Sequence, residues 1–296
     1  MKRDFLALSD FTAEEHAALF RRARELKDAR RRGEVVHTLA GRTLLLLFEK
    51  HSTRTRLSFE AAIGQLGGTA ITLPIQESQV SRGESLADTG AVASRYVDAI
   101  MYRTYGDDRL RELARAATVP VINGLSDGGH PVQLLADLFT IDERLGSLRG
   151  KIVAWVGDGA SNMARSWIEA APLFGFTLRI SAPEGFRPAK AAGFELVGDA
   201  RDAVRGADVV TTDVWISMGQ EKEATARRKA FAGYCVDEAL LGRAKPSAIV
   251  LHCLPAHRGE EITPGVIDGP QSAVLDEAEN RMHVQKALLE ALILRR

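Results

Sequence analysis

Short apolar runs alternate with amphipathic segments along the whole chain, which has 296 residues. The runs have the length and flanks of buried strands, while the segments between them repeat at helical spacing. The runs predict strands at residues 43–48, 69–73, 99–102, 120–122, 152–156, 178–181, 209–212 and 249–252. The segments predict helices at residues 12–32, 53–66, 85–96, 107–117, roughly 131–145 and roughly 278–294. Thr12 and Glu15 have the spacing of a capping box at the start of the first helix.

Strands that alternate with helices favour parallel sheets covered by helices on both faces. Two such blocks meet near residues 131–150, so we expect an α/β fold of two domains, each with a central parallel sheet flanked by helices. The boundary is expected along the helix predicted there. The length also indicates about two domains, and a chain of this size needs no metal or disulfide to fold.

The charge balance limits the classes of partner that we expect the protein to bind. Lys+Arg and Asp+Glu both number 39, so the formal net charge is zero. Proteins that bind nucleic acid or anionic membranes non-specifically normally carry a basic excess, so we expect neither partner. The longest strongly apolar run, residues 44–48, is far shorter than the ~20 residues of a membrane span. We also expect no signal peptide, because the N-terminus lacks a long apolar core.

The two cysteines, Cys235 and Cys253, form neither a disulfide framework nor a CxxC metal pattern. They fit a reducing compartment, and we expect a cytoplasmic protein, although one pairing between them stays open. His252, His257, Glu260 and Glu261 have no spacing that predicts a tetrahedral metal site.

The segment of residues 48–60, FEKHSTRTRLSFE, lies between a predicted strand and a predicted helix. A helix N-terminus offers unpaired backbone N–H groups and a partial positive charge. Ser52, Thr53 and Thr55 add hydroxyl groups there, and Arg54 can bind an anion with two hydrogen bonds. The segment therefore predicts a phosphate site. It contains no Walker lysine pattern, so a nucleotide is not favoured; the alternative is a capped surface helix with solvated arginines.

Residues 48–56, FEKHSTRTR, resemble the carbamoyl-phosphate signature of the transcarbamylases. Further motifs resemble the ornithine-using branch of that family, keep its motif order and span nearly the whole chain. They are NGLSD at residues 123–127, HPVQ at 130–133, DVWISMGQE at 213–221, HCLP at 252–255 and ENR at 279–281. The STRTR motif alone indicates only a transcarbamylase, whereas SMG with HCLP is more specific for ornithine as acceptor.

The resemblance implies transfer of a carbamoyl group from carbamoyl phosphate to the δ-amine of L-ornithine, giving L-citrulline and phosphate without a cofactor. It implies a homotrimer or a multiple of trimers. It also implies a C-terminal helix that packs back on the first domain, so we expect residues 1–134 plus 279–296 as the carbamoyl-phosphate domain and residues 135–278 as the ornithine domain. The chain is short for the family in the region of residues 182–199.

The resemblance also assigns roles to residues of this sequence. Arg103, His130 and Thr55 would surround the carbonyl oxygen, and the loop at His130 suits a neutral imidazole that donates a hydrogen bond. Cys253 would pair with Asp213 to orient or deprotonate the δ-amine. The full carbamoyl-phosphate set is Ser52, Thr53, Arg54, Thr55, Gln79, Arg103, His130, Gln133, Cys253, Leu254 and Arg281. The ornithine set is Asn162, Asp213, Ser217 and Met218, and the catalytic residues are Arg103, His130, Asp213 and Cys253.

Three alternatives stay open. The first is a transcarbamylase for another amine, such as putrescine or an acylated ornithine; aspartate is disfavoured, because no lysine lies between Lys50 and Lys151. The second is a non-catalytic protein that binds carbamoyl phosphate. The third is a nicotinamide-dependent dehydrogenase, suggested by the turn at Gly157, although the glycine fingerprint is incomplete. The sequence does not distinguish an anabolic from a catabolic role, since both directions use one site.

Overall fold

The computed structural model describes residues 2–217 and 219–294. The chain divides into two units: unit 1 consists of Met1–Ala136 and Glu279–Arg296, and unit 2 consists of Asp137–Ala278. Both divisions fall within helices.

Unit 1 contains four parallel strands and most of the helices of the first half of the chain. The strands are β1 (Thr43–Phe48), β2 (Thr69–Pro74), β3 (Ala99–Arg103) and β4 (Val121–Leu125). The helices are α1 (Ala13–Arg31), α2 (Thr53–Gln65), α3 (Leu86–Ala93) and α4 (Asp107–Ala116), and α5 (Pro131–Leu145) begins in unit 1 and continues into unit 2. Short 3-10 turns occupy Leu8–Asp10, Ile75–Glu77 and Gln79–Arg82. The strand order across the sheet is β2-β1-β3-β4.

The composition of each strand in unit 1 matches its place in the sheet. β1 has four consecutive leucines, and its last five residues are buried, as expected for an inner strand of a parallel sheet. β3 is also buried throughout. β2 alternates exposed and half-buried residues, because it lies at the edge of the sheet. The buried inner strands therefore support the loops that follow them.

Unit 2 contains a second, five-stranded parallel sheet. Its strands are β5 (Ile152–Val156), β6 (Thr177–Ser181), β7 (Glu195–Leu196), β8 (Val209–Thr212) and β9 (Ile249–His252), in the order β7-β6-β5-β8-β9. Its helices are α6 (Asn162–Phe174), α7 (Ala200–Val204), α8 (Ala224–Ala230), α9 (Glu238–Leu241) and α10 (Pro264–Ile267), with 3-10 turns at Glu184–Phe186 and Glu221–Glu223. The inner strands β5 and β8 and the edge strand β9 are almost wholly buried.

The last helix, α11 (Val274–Leu294), contributes its residues from Glu279 onward to unit 1. Lys27 on α1 donates to the Asn280 side chain at 2.7 Å, and Arg22 on the same helix pairs with Glu290 at 2.6 Å. The prediction that the C-terminal helix packs back on the first part of the chain is thus confirmed.

The predicted α/β class is confirmed, and so is the capping box of α1, in which Thr12 and Glu15 bond reciprocally. Other elements were predicted incompletely or missed. The strand predicted at 120–122 continues to Leu125, since the Asn123 N–H pairs with Phe5 and its side chain bonds to Leu6 and Ser126. Helices α6 to α10 and the short strand β7 were missed. The last helix begins at Val274 rather than at residue 278.

Each sheet contains one point at which the strand order reverses. In unit 1 the chain moves from β1 outward to β2 and then returns to the other side of β1 as β3. In unit 2 it moves from β5 outward to β6 and β7 and then returns to the other side of β5 as β8. Ligands of open parallel sheets bind beyond the carboxyl ends of the strands at such switch points. The loops after β1, β3, β5 and β8 are therefore the first places to look for a site.

Among the residues that the structure describes, no helix combines the length and apolar character needed to cross a bilayer.

Candidate active site

The loop after β1 leads directly into the N-terminus of α2, at the switch point of unit 1. Ser52 caps this helix, because its hydroxyl oxygen accepts the Thr55 N–H at 3.3 Å. Thr53 and Arg54 occupy the first helical positions; Thr53 is exposed and Arg54 is half-buried. The first turn of α2 thus presents backbone N–H groups, a hydroxyl and a guanidinium at one end of a helix, which suits a phosphate group.

Arg281 on α11 joins two residues that the resemblance assigns to the same ligand. Its Nη1 donates to Oε1 of Gln133, and its Nη2 donates to Oγ1 of Thr55 at 2.7 Å. All three side chains are almost completely buried. Helices α2, α5 and α11 therefore bring a hydroxyl, an amide and a guanidinium together, although the three residues are far apart in the chain.

His130 precedes α5 and is 5% exposed. Burial lowers the pKa of His130 well below its usual range, and the positive charges of Arg281 and Arg103 lower it further. The imidazole is therefore neutral at physiological pH and has one N–H to donate. Arg103, the last residue of β3, is also buried.

Glu49 lies inside the first motif and has a structural role that the sequence analysis missed. Its carboxylate accepts from the Tyr102 hydroxyl at 2.8 Å, from Nε of Arg109 at 2.8 Å and from the Thr104 hydroxyl. Its backbone N–H donates to the Arg103 carbonyl at 2.9 Å. Burial raises the pKa of Glu49, but these donors outweigh it and the net pKa is lowered. Glu49 thus ties the loop after β1 to the end of β3, where Arg103 lies.

Gln79 differs from the other residues that were predicted to bind carbamoyl phosphate. It is exposed on the 3-10 turn that follows β2. Within the described part of the chain, no hydrogen bond connects its side chain with Thr55, Gln133 or Arg281. Unit 1 alone therefore does not bring Gln79 into the cluster.

Asp213 and Cys253 follow the neighbouring strands β8 and β9, whose ends are paired in register at Thr212 and His252. The Cys253 thiol donates to Oδ1 of Asp213 at 3.2 Å, and the Val214 N–H donates to the same oxygen at 2.8 Å. Burial raises the pKa of the Asp213 carboxyl, an effect that the hydrogen bonds from Val214 and Cys253 reduce. Burial and the charge of Asp213 raise the pKa of the Cys253 thiol well above its usual range, so the residue is a protonated donor rather than a thiolate nucleophile.

Leu254 has an unusual backbone conformation, with φ at 56° and a cis peptide bond to Pro255. L residues rarely adopt this left-handed region. The Leu254 N–H donates to Nδ1 of His252 at 2.9 Å, and Nε2 of His252 lies 3.2 Å from Oε1 of Glu261. The HCLP motif therefore combines a fixed backbone carbonyl with the thiol of Cys253.

The other predicted ornithine residues lie at the switch point of unit 2. Asn162 is the first residue of α6, after the loop that follows β5, and it is half-buried. Ser217 is half-buried in the loop after β8, where its N–H donates to the Gln220 side chain at 3.0 Å. Met218 lies outside the described residues.

Arg227 on α8 is a second residue that the sequence analysis missed. It is 4% exposed, and it donates to the Asp158 carboxylate and to the Trp215 carbonyl. The guanidinium also lies 4.6 Å from the ring centre of Phe186. One cation therefore fastens the loop after β5 to the loop after β8. No spacing distinguishes this arginine from its basic neighbours in the sequence.

Two groups of potential metal ligands occur among the described residues. Asp213, His252 and Cys253 offer atoms within 4.8 Å of one another, and so do His257, Glu260 and Glu261. In the first group both His252 nitrogens already bond within the protein and the thiol holds its proton, whereas metal ligation needs a free nitrogen and a thiolate. The second group is closer together than its sequence spacing predicted. Its Glu260 pairs with Arg228, and we assign a metal to neither group.

Comparisons with known families also divide the chain into two parts. A profile described as "Aspartate/ornithine carbamoyltransferase, carbamoyl-P binding domain" matches residues 3–143. A profile described as "Aspartate/ornithine carbamoyltransferase, Asp/Orn binding domain" matches residues 149–292.

Individual proteins match over their full length. The chain is 51% identical to the ornithine carbamoyltransferase of Geobacter sulfurreducens, over 99% of this chain and 100% of that protein. It is 54% identical to that of Halorhodospira halophila, over 99% of each chain. The structure of the Pyrococcus furiosus ornithine carbamoyltransferase superimposes with a TM-score of 0.94 at 48% identity, over 99% of this chain and 97% of that one. The anabolic ornithine carbamoyltransferase of Campylobacter jejuni superimposes with a TM-score of 0.91 at 40% identity, over 100% of both chains.

Proposed function

The chain belongs to the aspartate/ornithine carbamoyltransferase family, and we propose that it transfers the carbamoyl group of carbamoyl phosphate to the δ-amine of L-ornithine, giving L-citrulline and phosphate. One observation carries the proposal: a buried hydroxyl, amide and guanidinium, on Thr55, Gln133 and Arg281, meet beside a neutral His130. The relatives that share half of their residues with this chain over its full length bear the name of the ornithine enzyme, which favours ornithine over the other acceptors.

Unit 1 supplies the groups that activate carbamoyl phosphate. Attack on the carbonyl carbon develops negative charge on the carbonyl oxygen, and buried, preorganised donors stabilise that charge strongly. We assign Thr55, Arg103 and the neutral His130 as these donors. The N-terminus of α2, with Arg54 in its first turn, would hold the phosphate both in the substrate and as it leaves.

The carbamoyl amide requires acceptors rather than donors. Two carbonyl oxygens suit it, the Oε1 atom of Gln133 and the backbone oxygen of Leu254. Their roles are consistent with the fixed positions of both groups, since Gln133 is bonded to Arg281 and Leu254 is bonded to His252. Preorganised acceptors orient the amide, and with it the carbonyl carbon, without a cost of reorganisation at the moment of reaction.

Unit 2 supplies the groups that bind and activate ornithine. The δ-amine attacks only when neutral, so it must lose a proton before the new N–C bond forms and the C–O bond to phosphate breaks. Asp213 has a raised pKa and is therefore a stronger proton acceptor than an ordinary aspartate. The Cys253 thiol holds that carboxylate in place, and we assign Asn162, Ser217 and Met218 to the α-amino acid end of the substrate.

The experiment that tests this proposal is citrulline formation by the purified protein. Carbamoyl phosphate is supplied with L-ornithine, and putrescine, N-acetylornithine and aspartate are run in parallel. Product with ornithine alone is the expected result. Product with another amine would keep carbamoyl transfer but overturn the choice of acceptor. A folded protein that binds carbamoyl phosphate and forms no product would indicate a binding protein instead.

We further propose a cytoplasmic homotrimer that works in the anabolic direction. Support for association comes from apolar side chains left exposed on unit 1, Leu57 at 60% and Ile71 at 48%. Both cysteines are free thiols, as a reducing compartment would keep them. The anabolic name of the Campylobacter jejuni structure supports the direction. Sedimentation at assay concentration is expected to give three times the chain mass of 32.2 kDa.

A further inference from the structure

We propose that His252 and Glu261 are positioning residues that hold the backbone of Leu254 in the conformation that catalysis needs. The inference rests on the proposed function, in which the Leu254 carbonyl accepts a hydrogen bond from the carbamoyl amide. Neither side chain is assigned a contact with substrate. They act through the peptide that joins Cys253 to Leu254, so their effect is on geometry rather than on chemistry.

The hydrogen bonds define which ring nitrogen of His252 carries the proton. A backbone N–H can only donate, so Nδ1, which lies 2.9 Å from the Leu254 nitrogen, must be the unprotonated acceptor. A neutral imidazole then carries its hydrogen on Nε2, which faces Oε1 of Glu261 at 3.2 Å. Glu261 therefore selects the tautomer, and the tautomer leaves a lone pair for Leu254.

Both side chains of this pair lie inside the core. His252 is 1% exposed and Glu261 is 0% exposed. The same oxygen of Glu261 also accepts the His257 N–H at 2.5 Å, so one carboxylate holds both ends of the loop of residues 253–257. The backbone N–H of His252 is fixed separately by Glu277 at 2.9 Å. The ring cannot turn without breaking bonds inside the core.

Leu254 needs such support because its φ of 56° lies in a region that L residues rarely adopt. Conformations of this kind persist where the surrounding structure holds them. The bond from the Leu254 N–H to His252 is the direct restraint on that peptide. When the acceptor is lost, we expect the loop to relax and the Leu254 carbonyl to lose its alignment with the amide.

Two variants of His252 distinguish the loss of its hydrogen bond to Leu254 from a change in core packing. His252→Asn places an amide oxygen near the position of Nδ1 and can still accept the Leu254 N–H. His252→Gln carries its polar end near the position of Nε2 and reaches Glu261 but not Leu254. We expect kcat of the Gln variant to fall roughly tenfold or more below that of the Asn variant. The inhibition constant of inorganic phosphate should stay the same in both, because its ligands belong to unit 1.

His37→Gln is the matched control, since His37 is exposed and lies outside the segment of residues 252–261. Glu261→Leu removes the carboxylate, and Glu261→Gln restores an acceptor oxygen and should recover part of the lost activity. Equal losses in the two His252 variants, or a better Gln variant, would overturn the proposal. Failure of Glu261→Gln to exceed Glu261→Leu would also count against it.

Hydrogen exchange of the Leu254 amide gives a readout that does not depend on turnover. It should be slow in the unmodified chain and in His252→Asn, and at least roughly tenfold faster in His252→Gln. If the unmodified chain forms no citrulline, the proposed function fails while this contrast still tests the restraint. If citrulline forms and the exchange rates of the two variants agree, the restraint is refuted and the proposed function stands.

Discussion

Replacement of Glu49 by glutamine tests whether one buried carboxylate holds the end of β3 in place. The side chain is 8% exposed and its two oxygens accept from Tyr102, Thr104 and Arg109. Glutamine keeps one oxygen but places an NH2 group where the other was, so one buried donor loses its acceptor. An unsatisfied buried donor costs about 1–3 kcal/mol. The lost pairing with Arg109, which is 44% exposed, adds about 0.2–1 kcal/mol.

We therefore expect Glu49→Gln to lower the free energy of unfolding by about 2 kcal/mol at neutral pH. Urea unfolding followed by far-UV circular dichroism measures it. The folded pKa of Glu49 is lowered, so its stabilisation is present above the unfolded value of about 4.3 and is lost as the pH falls through the folded pKa. The difference between the unmodified chain and the variant should therefore shrink as the pH falls below about 4.3.

Glu60→Gln is the matched control for this measurement. Glu60 also accepts from a threonine and an arginine, Thr72 at 2.6 Å and Arg56 at 2.9 Å, but its side chain is 34% exposed. We expect its replacement to cost about 0.5 kcal/mol, as for an exposed pair. A loss at Glu49 no larger than at Glu60, or a Glu49 deficit equal at neutral and at acid pH, would refute the reasoning.

Two further variants test the two halves of the site. Arg54→Ala should weaken carbamoyl-phosphate binding by about 3 kcal/mol, roughly a hundredfold, because a guanidinium bonded to phosphate is lost; calorimetric titration measures it, and near-normal turnover would contradict the phosphate assignment. Cys253→Ala should weaken ornithine use by about 1 kcal/mol, roughly fivefold, through loss of the bond to Asp213. Steady-state kinetics in both substrates measures it, and unchanged ornithine KM and kcat would remove the proposed role.

The predictions from sequence succeeded where the signal is local. The leucine run of β1 and the capping box at Thr12 report on neighbours in the chain, and both appear in the structure as expected. The helix α6 was missed because its first residues were interpreted as a dinucleotide-type turn, although Ser161 is a standard cap whose hydroxyl accepts the Ala164 N–H. The end of β4 was missed because its extension depends on pairing with Phe5, which is remote in sequence.

The candidate site shows even more clearly that sequence patterns do not predict contacts between residues that are remote in the chain. The motifs name Thr55, Gln133 and Arg281, but nothing in their spacing says that one guanidinium donates to the other two. Glu49 lies in a motif that does not name its partners, and Arg227 lies in no motif, because the importance of both residues comes from the loops that they connect. A motif records which residues a site contains, whereas the partners that restrain those residues come from elements that only folding brings together.

The hydrogen bond between Arg281 and Gln133 affects how Gln133 could bind the amide of the proposed substrate. Before substrate arrives, Oε1 of Gln133 is already an acceptor for Arg281. A carbonyl oxygen has two lone pairs, so the same oxygen can accept from the carbamoyl amide without releasing the guanidinium. Arg281 polarises the carboxamide and fixes its orientation, which makes Gln133 a prepared acceptor. On the proposed assignment of Gln133, the arginine in the ENR motif would act on the substrate through this neighbour.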